Sequence, residues 1–189
     1  MISETFQEIV TPELAKGAII NNRHPGFKED YLVIHSLIRK YNPASLFEIG
    51  TNTGFGTKII KNAIGEGTVF SMDLPVKEFR KLQNYPNEPG LECDIPYVQL
   101  YGDSLTFEFE RYPAEAYFVD GAHDYRHVFH EATEILKLSP RLIIFHDADI
   151  PEVELAISDA FDLTGQHYAK IRVTGTRIAY AVRLTSTIK

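Results

Sequence analysis

The 189-residue chain has one cysteine, Cys93, so an intramolecular disulfide is excluded and a reducing compartment suits it. No run of Lys or Arg exceeds two residues, and 19 basic residues against 26 acidic ones leave a net charge of −7. A phosphate-tracking surface is not expected on such a chain, so nucleic acid is an unexpected partner, while a small cation remains compatible. Long apolar runs are missing as well. The stretch Leu142-Ile143-Ile144-Phe145 is far too short to span a bilayer, and no membrane association is expected. The opening Met1-Ile2-Ser3-Glu4-Thr5-Phe6 lacks a basic segment followed by an apolar one and does not read as a secretory signal. Internal repeats and low-complexity tracts are also absent. What is there, 44% hydrophobic and 24% charged residues, is ordinary for a single soluble domain, and a cytoplasmic location is expected. A chain of this length can bury roughly 70% of its unfolded surface, enough for one sizeable core.

Short apolar runs recur along the chain and predict strands at Ser45–Ile49, Thr68–Met72, Tyr97–Leu100, Ala116–Val119 and Arg141–His146. They are continuous rather than alternating, as in strands covered on both faces. Between them, helices are predicted at Lys28–Tyr41, Thr57–Ile64, Val76–Gln83, Asp124–Leu138 and Glu152–Leu163. Alternation of this kind predicts an α/β fold with a mostly parallel, doubly wound sheet. The end differs. His167–Arg172 and Arg177–Arg183 are strand-like, and the four residues between them are too few for a parallel crossover, so this pair should be antiparallel. Residues 1–27 read as a leader with a turn at His24-Pro25-Gly26 that could lie over a ligand site; residues 28–189 read as one domain. Leu74–Pro96 carries Pro75, Pro86, Pro89 and Pro96 and is expected to be a short helix followed by a surface loop.

The strongest local feature is Phe47-Glu48-Ile49-Gly50-Thr51-Asn52-Thr53-Gly54-Phe55-Gly56-Thr57, between a predicted strand and a predicted helix. Glycines there let backbone approach a ligand, and the helix start supplies free N–H groups. The spacing is neither the dinucleotide Gly-x-Gly-x-x-Gly nor a P-loop, and a glycine-rich turn with no ligand is the plainer alternative. Asp73 ends the second strand, where a carboxylate can accept hydrogen bonds from two ribose hydroxyls, or merely cap a helix. Asp103-Ser104, Asp120 and Asp147 end the third, fourth and fifth strands, which directs their acids into one crevice. Carboxylates gathered in a cleft are costly without a cation, so a positively charged ligand, a metal or both are expected.

Glu48-Ile49-Gly50-x-x-x-Gly54, Asp73, Gly102-Asp103-Ser104 and Asp120-Gly121-Ala122-His123-Asp124-Tyr125 together resemble a class I S-adenosylmethionine-dependent methyltransferase. The likeness is to the small, catechol O-methyltransferase-like O-methyltransferases carrying Asp-Gly-x-His-x-Tyr after the fourth strand. It implies a Rossmann-like, mostly parallel seven-stranded sheet with an antiparallel C-terminal strand. It also implies S-adenosylmethionine as cofactor, with Gly50, Thr51, Asn52 and Gly54 on its methionine portion, Asp73 on the ribose, and Asp103 with Ser104 on the adenine. Glu48 or Asp103 could balance the sulfonium charge, and Asp120 is a further residue of the cofactor site. A small hydroxylated acceptor, a sugar or a phenol, is implied. The related metal-using enzymes hold Mg²⁺ by an Asp after strand four and an Asp-Asn pair after strand five. Asp120 and Asp147 match, Ala148 stands at the Asn position, and Asp149 is an alternative oxygen donor.

Such a reaction needs a group to take the acceptor's proton, and His123 is the best candidate because its unperturbed pKa of about 6.5 lies near physiological pH. A histidine capping a helix start is the plainer reading. His127 and His130 complete an i, i+4, i+7 set with His123, but they lie opposite Val128, Ala132, Ile135 and Leu136 and are expected on a solvated face. Two other classes fit part of the pattern. A short-chain-type NAD(P) oxidoreductase would need a Tyr-x-x-x-Lys pair, and none of the ten tyrosines has Lys four residues on. A non-catalytic cofactor-binding module shares every feature but the reaction. Apolar leader or hairpin residues offer a contact for a homodimer.

Overall fold

The computed structural model describes residues 1–19, 25–83 and 88–184. Eight strands form one sheet in the order β1-β7-β8-β6-β5-β2-β3-β4. The strands are β1 (Ile2–Thr5), β2 (Ser45–Ile49), β3 (Thr68–Asp73), β4 (Val98–Tyr101), β5 (Ala116–Val119), β6 (Leu142–Phe145), β7 (Tyr168–Thr174) and β8 (Ala179–Arg183). All neighbouring pairs are parallel except those of β8, which runs antiparallel to both β6 and β7. Seven of these strands match the expected sheet. The eighth is an addition from the leader: Ile2 to Thr5 pair in parallel with Ile171 to Thr174 along the open edge of β7. That strand satisfies the backbone groups of an otherwise free sheet edge. The leader then continues into the one-turn helix α1 (Phe6–Ile9), capped by Thr5 and Glu8 in a reciprocal box. Of the expected turn near residue 25, Pro25 and Gly26 open a 3-10 turn ending at Phe27, while His24 lies outside the described residues.

Each long strand divides its side chains between two cores, which is why its sequence is continuously apolar. Leu46, Phe118 and Ile144 face one side, packed against Val33, Ile34, Leu37 and Ile38 of α2 (Lys28–Tyr41) and Ile60, Ala63 and Ile64 of α3 (Phe55–Ile64). Phe47, Tyr117 and Ile143 face the other, packed with Val128, Ala132, Ile135 and Leu136 of α5 (Tyr125–Lys137) and Val153, Ala156, Ile157 and Ala160 of α6 (Pro151–Thr164). The apolar residues of these helices recur at three- and four-residue steps, so each buries one stripe. No helix among the described residues is long and apolar enough to cross a membrane.

Beyond residue 87, the proline-rich segment is tied to the glycine loop. After α4 (Val76–Gln83), Gly90 donates its N–H to Asn52 O (2.8 Å) and Glu92 donates to Thr53 O (2.7 Å). Pro89 and Gly90 are buried against the glycine loop; Pro86 lies outside the described residues.

Candidate active site

The carboxyl ends of β2, β3, β5 and β6 open onto a cavity of about 650 Å³. Open parallel sheets bind ligands at this edge, where the strand order reverses direction; here the reversal falls between β2 and β5. The glycine loop forms the floor. Gly50 takes φ +99°, and a Cβ there would stand 2.1 Å from the Asp120 carbonyl oxygen, so the glycine lets β2 and β5 turn past each other. Gly54, at φ +91°, caps α3 and packs its open side on the Gly90 backbone. Gly50, Thr51, Asn52 and Gly56 line the cavity, whereas Gly54 stands behind its wall. The Thr51 hydroxyl is turned inward, 2.6 Å from that of Ser71.

The acids arrive at this cavity by different routes. Glu48 is buried and accepts hydrogen bonds from the Thr57 and Ser71 hydroxyls, both at 2.5 Å. Burial pushes its carboxyl up to about 8, against those two bonds. Asp73 accepts from the backbone N–H of Asn52 and of Leu74, both at 2.7 Å, so it clamps the glycine loop to the end of β3. Asp103 is exposed at the rim and accepts from Leu105 N–H, beside the buried Ser104. Glu131 of α5 is wholly buried, and neither of its carboxylate oxygens has a hydrogen-bond partner. Burial pushes Glu131 up to about 7, opposed first by the neighbouring Ser104 side chain.

Asp120 and Asp147 meet His123 and His146 on the opposite wall. His123 Nε2 lies 3.1 Å from Asp147 Oδ2 and 3.7 Å from Asp120 Oδ1, and these carboxylates raise its pKa above 6.5 despite partial burial. His146 is buried with Nδ1 2.9 Å from Asp147 Oδ2 and 3.1 Å from Asp120 Oδ1. Its Nε2 faces Asp30 Oδ2 at 3.4 Å. Burial opposes the imidazolium, but Asp120, Asp147 and Asp30 together push His146 up to about 12. Asp30, in the first turn of α2, is gripped in turn by Arg177: the backbone N–H donates to Oδ1 (3.0 Å), and Nε and a terminal nitrogen donate to Oδ2 (2.8 and 2.5 Å). The Arg177 guanidinium also lies 3.8 Å from the centre of the Phe27 ring. Phe27, Tyr31 and Phe55 complete an aromatic side of the cavity. Burial and Asp120 push the Tyr31 hydroxyl up to about 12, so it holds its proton at neutral pH.

Several placements depart from expectation. Asp149 is exposed and outside the cavity lining, because β6 ends at Phe145 and the turn after it aims Asp147 inward and Asp149 out. His127 was expected on a solvated face but lines the cavity, its Nδ1 held 2.6 Å from Asp124, the residue that caps α5. His130 does not line the cavity. Asp30, Glu131, His146 and Arg177 were not singled out from the sequence. His146 had a usable signal in its adjacency to Asp147, and Glu131 in being an acid three residues after buried Val128. Asp30 and Arg177 had none, since 147 residues separate them.

The sequence matches no protein-family model and no curated protein. Solved structures match its fold. The S-adenosylhomocysteine-bound methyltransferase PaMTH1 of Podospora anserina is 11% identical over 84% of this chain and 79% of its own, with a TM-score of 0.58. The Bacillus cereus O-methyltransferase, also with S-adenosylhomocysteine, is 15% identical over 94% and 89%, with a TM-score of 0.53. MycE, from the mycinamycin biosynthetic pathway, was solved with Mg, S-adenosylhomocysteine and mycinamycin VI. It is 16% identical over 86% of this chain, which spans half of MycE, with a TM-score of 0.60. The fold is therefore the Rossmann-like fold of these methyltransferases.

The Arg177–Asp30 pair carries a checkable energetic consequence. Replacing Arg177 by Met leaves the buried Asp30 carboxylate with His146 and the backbone N–H of position 177 as its partners. Breaking a buried pair costs about 3–5 kcal/mol, and the part-exposed guanidinium and remaining His146 place the loss at roughly 2–3 kcal/mol. Burial works against ionisation of Asp30, but His146 and Arg177 prevail and lower its folded-state pKa below 3.8. The contribution is thus complete above the unfolded pKa and disappears as pH falls through the lower, folded value. Denaturant unfolding of wild type and Arg177→Met at pH 7 and pH 3 measures both features; equal stability at pH 7 contradicts the network's importance.

Proposed function

We propose that this chain is an S-adenosylmethionine-dependent O-methyltransferase acting on a small hydroxylated molecule, a sugar or a phenol. The observation that carries the reading is the gathering of Glu48, Asp73, Asp120, His123 and Asp147 around one cavity at the strand ends of a sheet with this order. S-adenosylmethionine, when bound, supplies an activated methyl group on a cationic sulfur. The chain's residues suit that ligand. Asp73 and Asp120 give the cavity negative charge, and buried Glu48 a further acceptor, for a cation that carries a ribose diol. Glu131 offers a buried carboxyl with only the Ser104 side chain beside it, leaving acceptor capacity that a nucleobase amine would fill. Gly50, Thr51 and Asn52 would border the methionine portion, and Asp103 with Ser104 the adenine.

The residues' work is then positioning and proton handling. Phe27, Tyr31 and Phe55 form an aromatic side of the cavity against which an acceptor ring can pack, excluding water from the reacting oxygen. His123, at the cavity mouth beside Asp120 and Asp147, takes the proton from the acceptor hydroxyl at Nε2, and the two carboxylates stabilise the imidazolium so formed. Asp120 and Asp147 would also hold a divalent cation, which would lower the acceptor hydroxyl's pKa.

Two experiments test the reading. Thermal unfolding with S-adenosylhomocysteine at 100 times its Kd should show about 2.7 kcal/mol of added stability. Asp73→Ala should need far more ligand for the same effect. Stabilisation by NADH and not by S-adenosylhomocysteine contradicts the reading and favours an oxidoreductase. The second concerns proton transfer. His123→Ala should lower kcat by about 10²–10⁴ with little change in S-adenosylhomocysteine affinity. Because the base form of His123 grows as pH rises through a pKa raised above 6.5, wild-type activity should climb on that limb, and the limb should vanish in the variant. A pH profile unaltered by the substitution rules His123 out as the base.

A further inference from the structure

Asp120, His146 and Asp147 bring one ligand atom each to a common point, all within 4.8 Å of one another. A divalent ion about 2.0–2.2 Å from each donor requires neighbouring donors roughly 3 Å apart. His146 Nδ1 satisfies that spacing toward both carboxylates, at 2.9 and 3.1 Å. Nδ1 is buried and directed between the two carboxylates, at ion-pair distance from both but aligned with neither as a hydrogen bond, so its lone-pair direction faces the space between them.

The other side of the ring has what a metal-binding histidine needs. Ligating imidazoles commonly turn their second nitrogen to a carboxylate that fixes ring orientation. Here Nε2 faces Asp30 Oδ2 at 3.4 Å, and Asp30 is immobilised by the Arg177 fork. Charge is compatible with a dication. Without metal, Asp30, Asp120 and Asp147 are balanced by the Arg177 guanidinium and the His146 imidazolium; a dication that displaces the Nδ1 proton cancels the two negative charges left against the one guanidinium. His123 also reaches Asp120 and Asp147, but its side chain is 45% exposed at the mouth, which suits a group that exchanges protons.

We propose that His146 is the third protein ligand of a divalent-cation site shared with Asp120 and Asp147, and that this nitrogen-containing set favours a transition-metal ion over Mg²⁺. Mg²⁺ demands near-octahedral oxygen coordination, whereas imidazole suits the borderline first-row ions. The chain has no oxygen-bearing side chain at Ala148, and Asp149 points away. The existence of the site is independent of the methyl-transfer reading; its role in activating an acceptor hydroxyl rests on that reading.

Calorimetric titration of chelator-treated protein with Co²⁺ and with Mg²⁺, without substrate, tests the proposal, the visible band of bound Co²⁺ giving a second readout. Wild type should bind Co²⁺ at least tenfold more tightly than Mg²⁺. His146→Ala should weaken Co²⁺ at least tenfold, and His146→Asp, which restores an oxygen donor, should abolish the preference for Co²⁺. S-adenosylhomocysteine affinity and circular dichroism of the same samples identify a variant that has failed to fold, and the wild-type preference needs no variant. No Co²⁺ binding, equal affinity for the two ions, or a His146→Ala protein that binds Co²⁺ like wild type overturns the proposal. Metal binding that depends on His146 alongside no binding of S-adenosylhomocysteine leaves the site standing and overturns the methyl-transfer reading instead.

Discussion

The pairing of Asp30 with Arg177 and His146 organises one wall of the cavity at the strand ends. Asp30 comes from the start of α2, Arg177 from the β7–β8 connection and His146 from the residue after β6, so one buried carboxylate joins three distant parts of the chain. An isolated carboxylate at that depth would be costly, and the guanidinium's bidentate grip with the imidazole beyond it makes its burial tolerable. The consequence is geometric. With His146 oriented, Asp120 and Asp147 are held against it, and His123 finds both carboxylates at the cavity mouth. A constellation built this way is set before any ligand arrives, as a positioning site requires.

The opposite side of the cavity is held by neutral hydrogen bonds rather than ion pairs. Thr57 and Ser71 hydroxyls bind Glu48, and two backbone amides bind Asp73. The proline-rich segment braces the glycine loop from behind through Gly90 and Glu92. This division suits a ligand that is cationic near its centre and polar at its ends: acids along the strand ends for the charge, carboxylate acceptors for a diol and an amine. The net charge of −7 is thus partly concentrated where a cationic cofactor would be bound.

How much of this was legible beforehand depended on range. The strands from Ser45 to Phe145 and their helices followed from local apolar runs, and the antiparallel end followed from a connection too short for a crossover. Their strand-end acids followed in turn, since topology alone places the ends of parallel strands together. The edge strand at Ile2–Thr5 was invisible because four mostly exposed residues have no pattern; only the free edge of β7 makes them a strand. Asp30 read as a first-turn acid of a helix and Arg177 as a strand residue, and no local property links them. His146 was absorbed into the strand it follows, and Glu131 into an amphipathic helix whose apolar face it interrupts.

Under the proposed function, one acid-lined cavity binds a sulfonium nucleoside beside a histidine base. A crystal structure of the protein with S-adenosylhomocysteine tests it most directly. The ribose hydroxyls should lie within hydrogen-bonding distance of Asp73, with the sulfur facing the space bordered by Asp120 and His123. A ligand bound elsewhere, or one whose sulfur faces away from His123, would contradict it.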